Sequence, residues 1–302
     1  MKISVIIPTY NAERYLPKLL KKLQAQTISF ELIIIDSSST DKTVSIAKQY
    51  TNHILSIPTA EFDHGGTRTK AAKMASGDFI VFLTQDALPC NNNTIETILK
   101  VFDNPTVGAA YGRQIPYEKS SLFGKHLRYF NYPAVSYVRT FADRDKYGIK
   151  TAFLSDSFAA YRRTALEKID WFKNGLIVGE DSYAGAKMIG AEYALAYCSE
   201  AKVYHSHSYT LVEEFKRYFD IGVFHKKEHW ILDTFGKAEG EGGRYIKSEL
   251  KYLFNEDAYL YIPQFFIRNG MKYFGYKLGQ NYLSLPEKLI QRISMHTLWW
   301  KK

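Results

Sequence analysis

Residues 62–87 read "FDHGGTRTKAAKMASGDFIVFLTQDA", and the reading of this stretch decides the fold class. Paired glycines beside Arg68 and Lys70 look first like a phosphate-gripping loop, yet the Gly-Lys-Ser/Thr ending of a P-loop is missing. A helical pattern begins near Gly66 and closes at Gly77. The apolar run "FIVFL" at 79–83 follows, then a lone carboxylate, Asp86, behind Thr84 and Gln85. A continuous apolar run between turn signals marks a strand buried on both faces.

The same alternation extends outward on both sides. "ISVIIP" at 3–8 and "ELIIID" at 31–36 are two more such strands, and "HILSIP" at 53–58 is a weaker one. Between them Leu16, Leu19, Leu20 and Leu23 recur at helical spacing within 12–25, and Asp41 stands where a capping residue should, opening a helix through Ala47. A helix near 92–102 and a strand "VGAAYG" at 107–112 complete the first part. Strands alternating with helices over short connections predict a mostly parallel sheet covered on both sides, an α/β fold of the Rossmann-like kind.

From 113 to 150 the alternation gives way to an aromatic, basic and irregular insertion of the sort that faces a substrate. It resumes with "DSFAAYRR" at 156–163, a helix over about 180–190, and "AEYALAYCSEAKVYHSHS" at 191–208. The predicted division is an α/β domain over 1–210, in two parts at 1–112 and 113–210. A helical C-terminal extension covers 211–302.

Composition narrows the partners. A net charge of +9 favours an anionic partner, whether nucleic acid, a phosphorylated small molecule or an acidic membrane surface. Cys90 and Cys198 lie far apart with no metal-ligand spacing, which argues against a disulfide framework or zinc site and fits a reducing cytoplasm. The first apolar run is too short for a signal-peptide core, and no run approaches 18 apolar residues. The expectation is a cytoplasmic protein, soluble or peripheral on a membrane. "EEFKRYFDIGVFHKKEHW" and "FFIRNGMKYFGYKLG" mix bases with large aromatics, as helices lying in a membrane interface do; the same helices could serve a homo-oligomer.

In an open α/β sheet, ligands bind beyond the carboxyl ends of the strands. Pro8, Thr9 and Tyr10 stand there after the first strand, Asp36 and Ser38 after the second, and Gln85 with Asp86 after "FIVFL". "GLIVGEDSYAGAKMIG" adds Glu180 and Asp181 at a helix start, and "KVYHSHSYT" adds His205 and His207, which an extended strand would point to one side.

The ordered set "VIIPTYN", "IIIDSSSTD", "GGTRTKAAKMASGDFIVFLTQDA" and "VGED" resembles the inverting, family-2 glycosyltransferases of GT-A fold. Within that group "FDHGGTR", "FLTQDA" and "YHSH" resemble the rhamnosyltransferases of bacterial surface polysaccharide synthesis. The resemblance implies transfer of L-rhamnose from dTDP-β-L-rhamnose to a lipid-diphosphate-linked glycan, with inversion, by a catalytic domain whose 1–112 half takes the nucleotide sugar and whose 113–210 half takes the acceptor, peripheral on the inner face of the plasma membrane. It implies that Thr9, Asp36 and Arg68 hold the nucleotide. Asp86 falls on the second acid of the family's Asp-x-Asp metal motif, while Thr84 replaces the first. Asp181 falls on the catalytic base, with Glu180 shaping the site. A histidine after that segment, His205 first and His207 second, joins the Mg²⁺ or Mn²⁺ site, and His64 touches the diphosphate or holds its loop.

Chemically, one carboxylate suffices when the substrate's diphosphate completes the cation's shell. Two other readings stand beside this one: a hexosyltransferase using a UDP-sugar, and a basic, non-catalytic nucleic-acid-binding protein. The latter leaves acids at three matched positions unexplained, because carboxylates repel phosphate unless a metal intervenes.

Overall fold

The strand "ISVIIPT" sets the architecture by its two-sided burial. Val5 and Ile7 pack into one apolar cluster with Leu16, Leu19, Leu20 and Leu23. The intervening Ile6 points into a second cluster with Ile33, Ile35, Ala71 and Phe82. Period-two alternation between two cores requires helices on both faces of a sheet. A computed structural model describes residues 1–301 and shows that arrangement.

The elements run β1 (Ile3–Thr9), α1 (Leu16–Gln24), β2 (Glu31–Asp36), α2 (Thr43–Ala47), β3 (Ile54–Ser56), α3 (His64–Met74), β4 (Phe79–Leu83) and β5 (Leu88–Pro89). Then come α4 (Thr94–Leu99), β6 (Val107–Ile115), α5 (Leu122–Asn131), β7 (Tyr137–Arg139), α6 (Arg144–Tyr147), β8 (Phe158–Arg162) and α7 (Arg163–Lys168). The chain continues with α8 (Glu180–Gly190), β9 (Ala194–Tyr204), α9 (Leu211–Lys227), α10 (His229–Phe235), α11 (Ala238–Asn255), α12 (Ile262–Gln280) and α13 (Glu287–Ile293). The sheet order is β3-β2-β1-β4-β8-β6-β9-β5, with β7 also pairing β9. β3, β2, β1 and β4 are parallel, as expected. β8 runs antiparallel to both β4 and β6, so the sheet is mixed at its centre.

Three local departures from the sequence reading matter for the site. Helix α3 begins two residues earlier than Gly66, because the Asp63 side chain caps it by accepting from the Gly66 N–H at 2.7 Å. The glycine pair serves packing: a Cβ on Gly65 would lie 2.0 Å from the Lys173 carbonyl oxygen, so only glycine lets α3 approach that segment. The stretch 113–150 is not irregular throughout, since it carries the end of β6, then α5, β7 and α6. β9 stops at Tyr204, so His205 and His207 stand on the segment after the strand rather than within it.

Helices α9 and α12 cross closely because Gly275 and Gly279 on one meet backbone of the other; a Cβ at Gly279 would sit 2.0 Å from the Phe219 carbonyl oxygen. Phe219, Val223 and Phe224 of α9, Ile231 and Phe235 of α10, and Ile290 of α13 join the same core as β1 and β4. A buried polar network ties these helices to α5: Glu214 pairs with Arg268 at 2.9 Å, Lys272 lies 3.8 Å from Glu249, and His126 lies 3.7 Å from Glu249.

Candidate active site

Asp86, His205 and His207 converge, although the histidines are more than a hundred residues downstream. His205 Nε2 lies 3.5 Å from Asp86 Oδ1, and His207 Nε2 lies 3.6 Å from Asp86 Oδ2. One ligand atom from each falls within 4.8 Å of the others, a spacing that can hold one metal ion. Burial alone would push the Asp86 carboxyl up. The hydrogen bond and charge of His205, then His207 and the Thr84 hydroxyl, outweigh burial and hold it well below the usual range. Burial pushes the His205 imidazole down and that of His207 to about 4. At neutral pH the set is therefore a carboxylate and two neutral imidazoles, the protonation state that ligates a cation.

The sequence reading missed the residue that orients His205. Gln114, buried at the end of β6, accepts through Oε1 from Arg128 Nη1 at 2.5 Å and meets His205 Nδ1 at 2.7 Å. Arginine only donates, which fixes that atom as the amide oxygen, so His205 donates to it from Nδ1 and the ring is held with Nε2 facing Asp86. The signal was a polar residue in a strand whose other positions are mostly small and apolar. Tyr117 adds a hydrogen bond from its hydroxyl to the Asp86 carbonyl at 3.2 Å.

The second cluster surrounds the start of α8. Asp181 accepts from its neighbour Ser182 N–H at 2.6 Å and from the Asp156 N–H at 3.3 Å, and it remains partly exposed. Glu180 is buried and pairs with Arg68 at 3.0 Å, while Arg68 Nε lies 2.9 Å from Asp156 Oδ2. Arg68 also donates to the His64 carbonyl at 2.9 Å. Its guanidinium, expected at the nucleotide, is thus buried and committed to two carboxylates, because the β8–α8 region supplies acids that burial would otherwise leave unpaired.

Three acids share that one arginine. Burial, then the Glu180 charge, raises Asp181 to about 6, against the pull of backbone N–H groups and Arg68. Burial raises Asp156 as well, with Asp181 and Glu180 adding to it and Arg68 opposing. Glu180 goes the other way, since Arg68 and His64 outweigh its burial. A partly exposed carboxyl poised near neutrality suits a general base. Asp156, missed as the acid just before a strand, is buried from solvent and accepts a 2.6 Å hydrogen bond from the Tyr161 hydroxyl.

Beyond β1 and β2 the predicted nucleotide residues form a layered rim. Thr9 and Asp36 are buried, and the Asp36 carboxylate accepts from Thr9 Oγ1 at 2.9 Å, Ser39 Oγ at 2.6 Å and Ser39 N–H at 2.9 Å. Pro8 is half-buried, and Ser38, in the left-handed region at φ 58°, donates its hydroxyl to the Ile57 carbonyl. Gln85 exchanges two hydrogen bonds with the Tyr10 backbone, linking this rim to Asp86. His64 lies 3.9 Å from Glu180, so it belongs to the α8 cluster. Asp41 accepts from the Thr43 N–H but lies one residue before the cap position of α2, which Lys42 occupies.

A cavity of about 340 Å³ opens beside this rim, between Tyr10, Ser37, Phe62 and His64 on one side and Leu176 with Ile177 on the other. Its remaining wall is the C-terminal segment from Met295 to Trp299, which no sequence pattern had connected to the site. A second cleft of about 420 Å³, between Phe141 and the far end of α8, lies away from both acidic clusters.

Residues 4–170 match the glycosyl transferase family 2 domain. The chain is 45% identical to the O-antigen chain rhamnosyltransferase RfbN of Salmonella typhimurium, over 99% of this chain and 96% of that protein. It is 46% identical to the O-antigen chain rhamnosyltransferase WbaN of Salmonella anatum, over 98% and 95% of the two chains. Among solved structures, residues 1–349 of TarS from S. aureus in complex with UDP superpose with a TM-score of 0.56 at 19% identity, covering 94% of this chain and 91% of that one. The mannosyltransferase PcManGT of Pyrobaculum calidifontis, solved with GDP-Man and Mn²⁺, gives 0.59 at 18% identity over 99% and 85%. At those identities the structures speak for the fold alone, and that fold is GT-A. The domain match and the near-full-length relatives together identify the chain as a glycosyltransferase belonging to family 2.

Proposed function

We propose that the protein transfers L-rhamnose from dTDP-β-L-rhamnose to a lipid-diphosphate-linked glycan, with inversion, in the synthesis of a cell-surface polysaccharide. The observation that carries this reading is the likeness to two O-antigen chain rhamnosyltransferases over nearly the whole chain. The arrangement of the two clusters agrees with it. Asp181 takes the proton of the acceptor hydroxyl, whose oxygen attacks the anomeric carbon. The bond from that carbon to the diphosphate oxygen breaks on the opposite face, and dTDP departs. Glu180, Asp156 and Arg68 keep Asp181 in place and adjust its proton affinity. Positioned acid–base catalysis contributes roughly 10²–10⁴-fold.

Asp86, His205 and His207 would hold a divalent cation, which supplies neutralising charge to the leaving diphosphate. A donor set of one carboxylate and two imidazoles favours Mn²⁺ over Mg²⁺, which prefers an oxygen shell. Thr9, Tyr10, Asp36 and Ser38 line the approach of the nucleoside.

Among the described residues no helix is long and apolar enough to cross a membrane. Contact with the inner leaflet, where the acceptor's lipid resides, falls to α12. Ile267, Phe274 and Leu278 form an exposed stripe at helical spacing beside exposed Phe266 and Tyr273, and Lys247 and Lys251 of α11 are exposed as well. Calorimetry with dTDP-rhamnose, UDP-glucose and GDP-mannose in Mn²⁺ tests the donor. Preference for dTDP-rhamnose is expected, and preference for a UDP-hexose would overturn the rhamnosyl assignment.

A further inference from the structure

The C-terminal segment lies far in sequence from every motif of the transfer site, yet it walls the cavity beside the nucleotide rim. Its position is built rather than incidental. Asp220, fully buried on α9, accepts from the Met295 N–H at 2.9 Å. Trp299 Nε1 donates to the Gly175 carbonyl at 3.1 Å, and Lys227 Nζ sits 4.7 Å above the Trp299 ring. Asp63, the cap of α3, accepts from the Gly175 N–H at 2.9 Å, so the same short loop joins the segment to the start of α3. Trp300 packs on Phe219 and Tyr282 behind the segment.

Between these anchors the segment turns apolar and aromatic groups toward the cavity. The His296 ring meets the His64 ring edge to face, with centroids 5.1 Å apart at 83°. His64 Nε2 is buried with no hydrogen-bond partner. Leu298 and Met295 stay 56% and 38% exposed although the segment is fixed on both sides, as expected of a wall whose other surface is supplied by a ligand.

The sheet order says which end of a nucleotide sugar comes here. The Asp86–His205–His207 cluster sits where β4 and β9 end, and β1, β2 and β3 follow on one side of β4. Tyr10, Ser37 and Thr59, which line the cavity, come just after β1, β2 and β3. With the diphosphate at the Asp86 cluster, the nucleoside extends over β1 toward β3 and meets the cavity.

We propose that Met295–Trp299 is part of the donor site, closing the nucleoside pocket, with the His296 ring as a contact for the base. This rests on the donor reading above. An uncharged aromatic ring and flanking aliphatic side chains recognise a planar base by stacking and apolar contact, with little demand on which base it is. The segment therefore contributes nucleotide affinity, and it does so without touching the diphosphate.

The test compares three probes by calorimetry on the full chain in Mn²⁺: dTDP, UDP and inorganic pyrophosphate. His296→Ala should weaken dTDP about 10-fold, the loss typical of one base-stacking ring. Leu298→Ser, at an exposed position that does not carry the fold, should weaken it by a smaller factor. Neither should change pyrophosphate affinity. In the unsubstituted protein, dTDP and not pyrophosphate should slow hydrogen exchange at residues 295–299. If dTDP binds the wild type but both variants bind it equally well and the segment gains no protection, this proposal fails while the donor reading survives. If the wild type binds pyrophosphate and neither nucleoside diphosphate, the donor reading fails and takes this proposal with it.

Discussion

Replacing Arg68 by methionine separates two roles that the sequence alone could not distinguish. Arg68 makes ion pairs of 2.9 Å to Asp156 and 3.0 Å to Glu180, and all three side chains are buried. Removing the shared cation leaves two buried carboxylates beside Asp181 without a counter-charge. Breaking a buried pair in this way costs about 3–5 kcal/mol. For a chain of this size, each kcal/mol moves the melting midpoint by about 2 °C, so a drop of roughly 6–10 °C is expected.

Asp156 softens the loss by taking up a proton, since its carboxyl is already raised by burial and by its acidic neighbours. The double variant Arg68→Met/Asp156→Asn should therefore recover part of the lost stability. Arg68 also lowers Asp181, so the single variant should move the acid limb of kcat/KM to higher pH. Differential scanning fluorimetry and a pH–rate profile read both effects. A melting midpoint within 1–2 °C of wild type (under about 1 kcal/mol), together with a weaker donor KM, would refute the reasoning and return Arg68 to the nucleotide.

Asp181→Asn should lower kcat by about 10²–10⁴-fold with dTDP affinity kept, as stopped-flow turnover and calorimetry would show. Because the base works deprotonated and its carboxyl is raised to about 6, wild-type kcat/KM should fall as pH drops through that value and stay level above it. Gln114→Leu removes the acceptor for His205 Nδ1–H and should weaken Mn²⁺ binding about 10–100-fold, measured by paramagnetic relaxation, with little change in the fold away from the cluster. Phe274→Asp, at an exposed position of the α12 stripe, should reduce co-sedimentation with anionic vesicles and leave dTDP binding unchanged.

The parts of the fold that the sequence disclosed are those set by local pattern. Near-continuous apolar runs announced β1, β2 and β4, since both faces of each strand are buried and most positions are apolar. The antiparallel direction of β8 was not visible, because its apolar run reads the same in either direction; what reverses it is the excursion through α5, β7 and α6. That excursion looked irregular because α5 and β7 bury aromatic and basic side chains, His126, Arg128 and Arg139 among them, in place of an aliphatic stripe.

The site divides in the same way. Asp86 stands just beyond a recognisable strand end and the Glu180–Asp181 pair at a helix start, so their sequence neighbours marked them. His205 and His207 were found for a partly mistaken reason, as strand neighbours on one face, whereas they meet Asp86 from the segment beyond β9. Gln114, Asp156 and His296 act through contacts across 91, 88 and 232 residues with His205, Arg68 and His64. Long-range packing of that kind leaves little local trace. The paired glycines at 65 and 66 carried a false signal: Gly65 admits the Lys173 carbonyl, and Gly66 meets the Asn174 and Asp63 side chains.

The most direct test is turnover with a defined donor, followed by product analysis. The purified chain, dTDP-β-L-rhamnose, Mn²⁺ and a membrane fraction bearing lipid-diphosphate-linked glycans should yield dTDP and an α-linked rhamnoside, identified by the one-bond C–H coupling at its anomeric carbon. Asp86→Ala and Asp181→Asn should both abolish the product. A β-linked product, or a wild-type rate matched by either variant, would contradict the account.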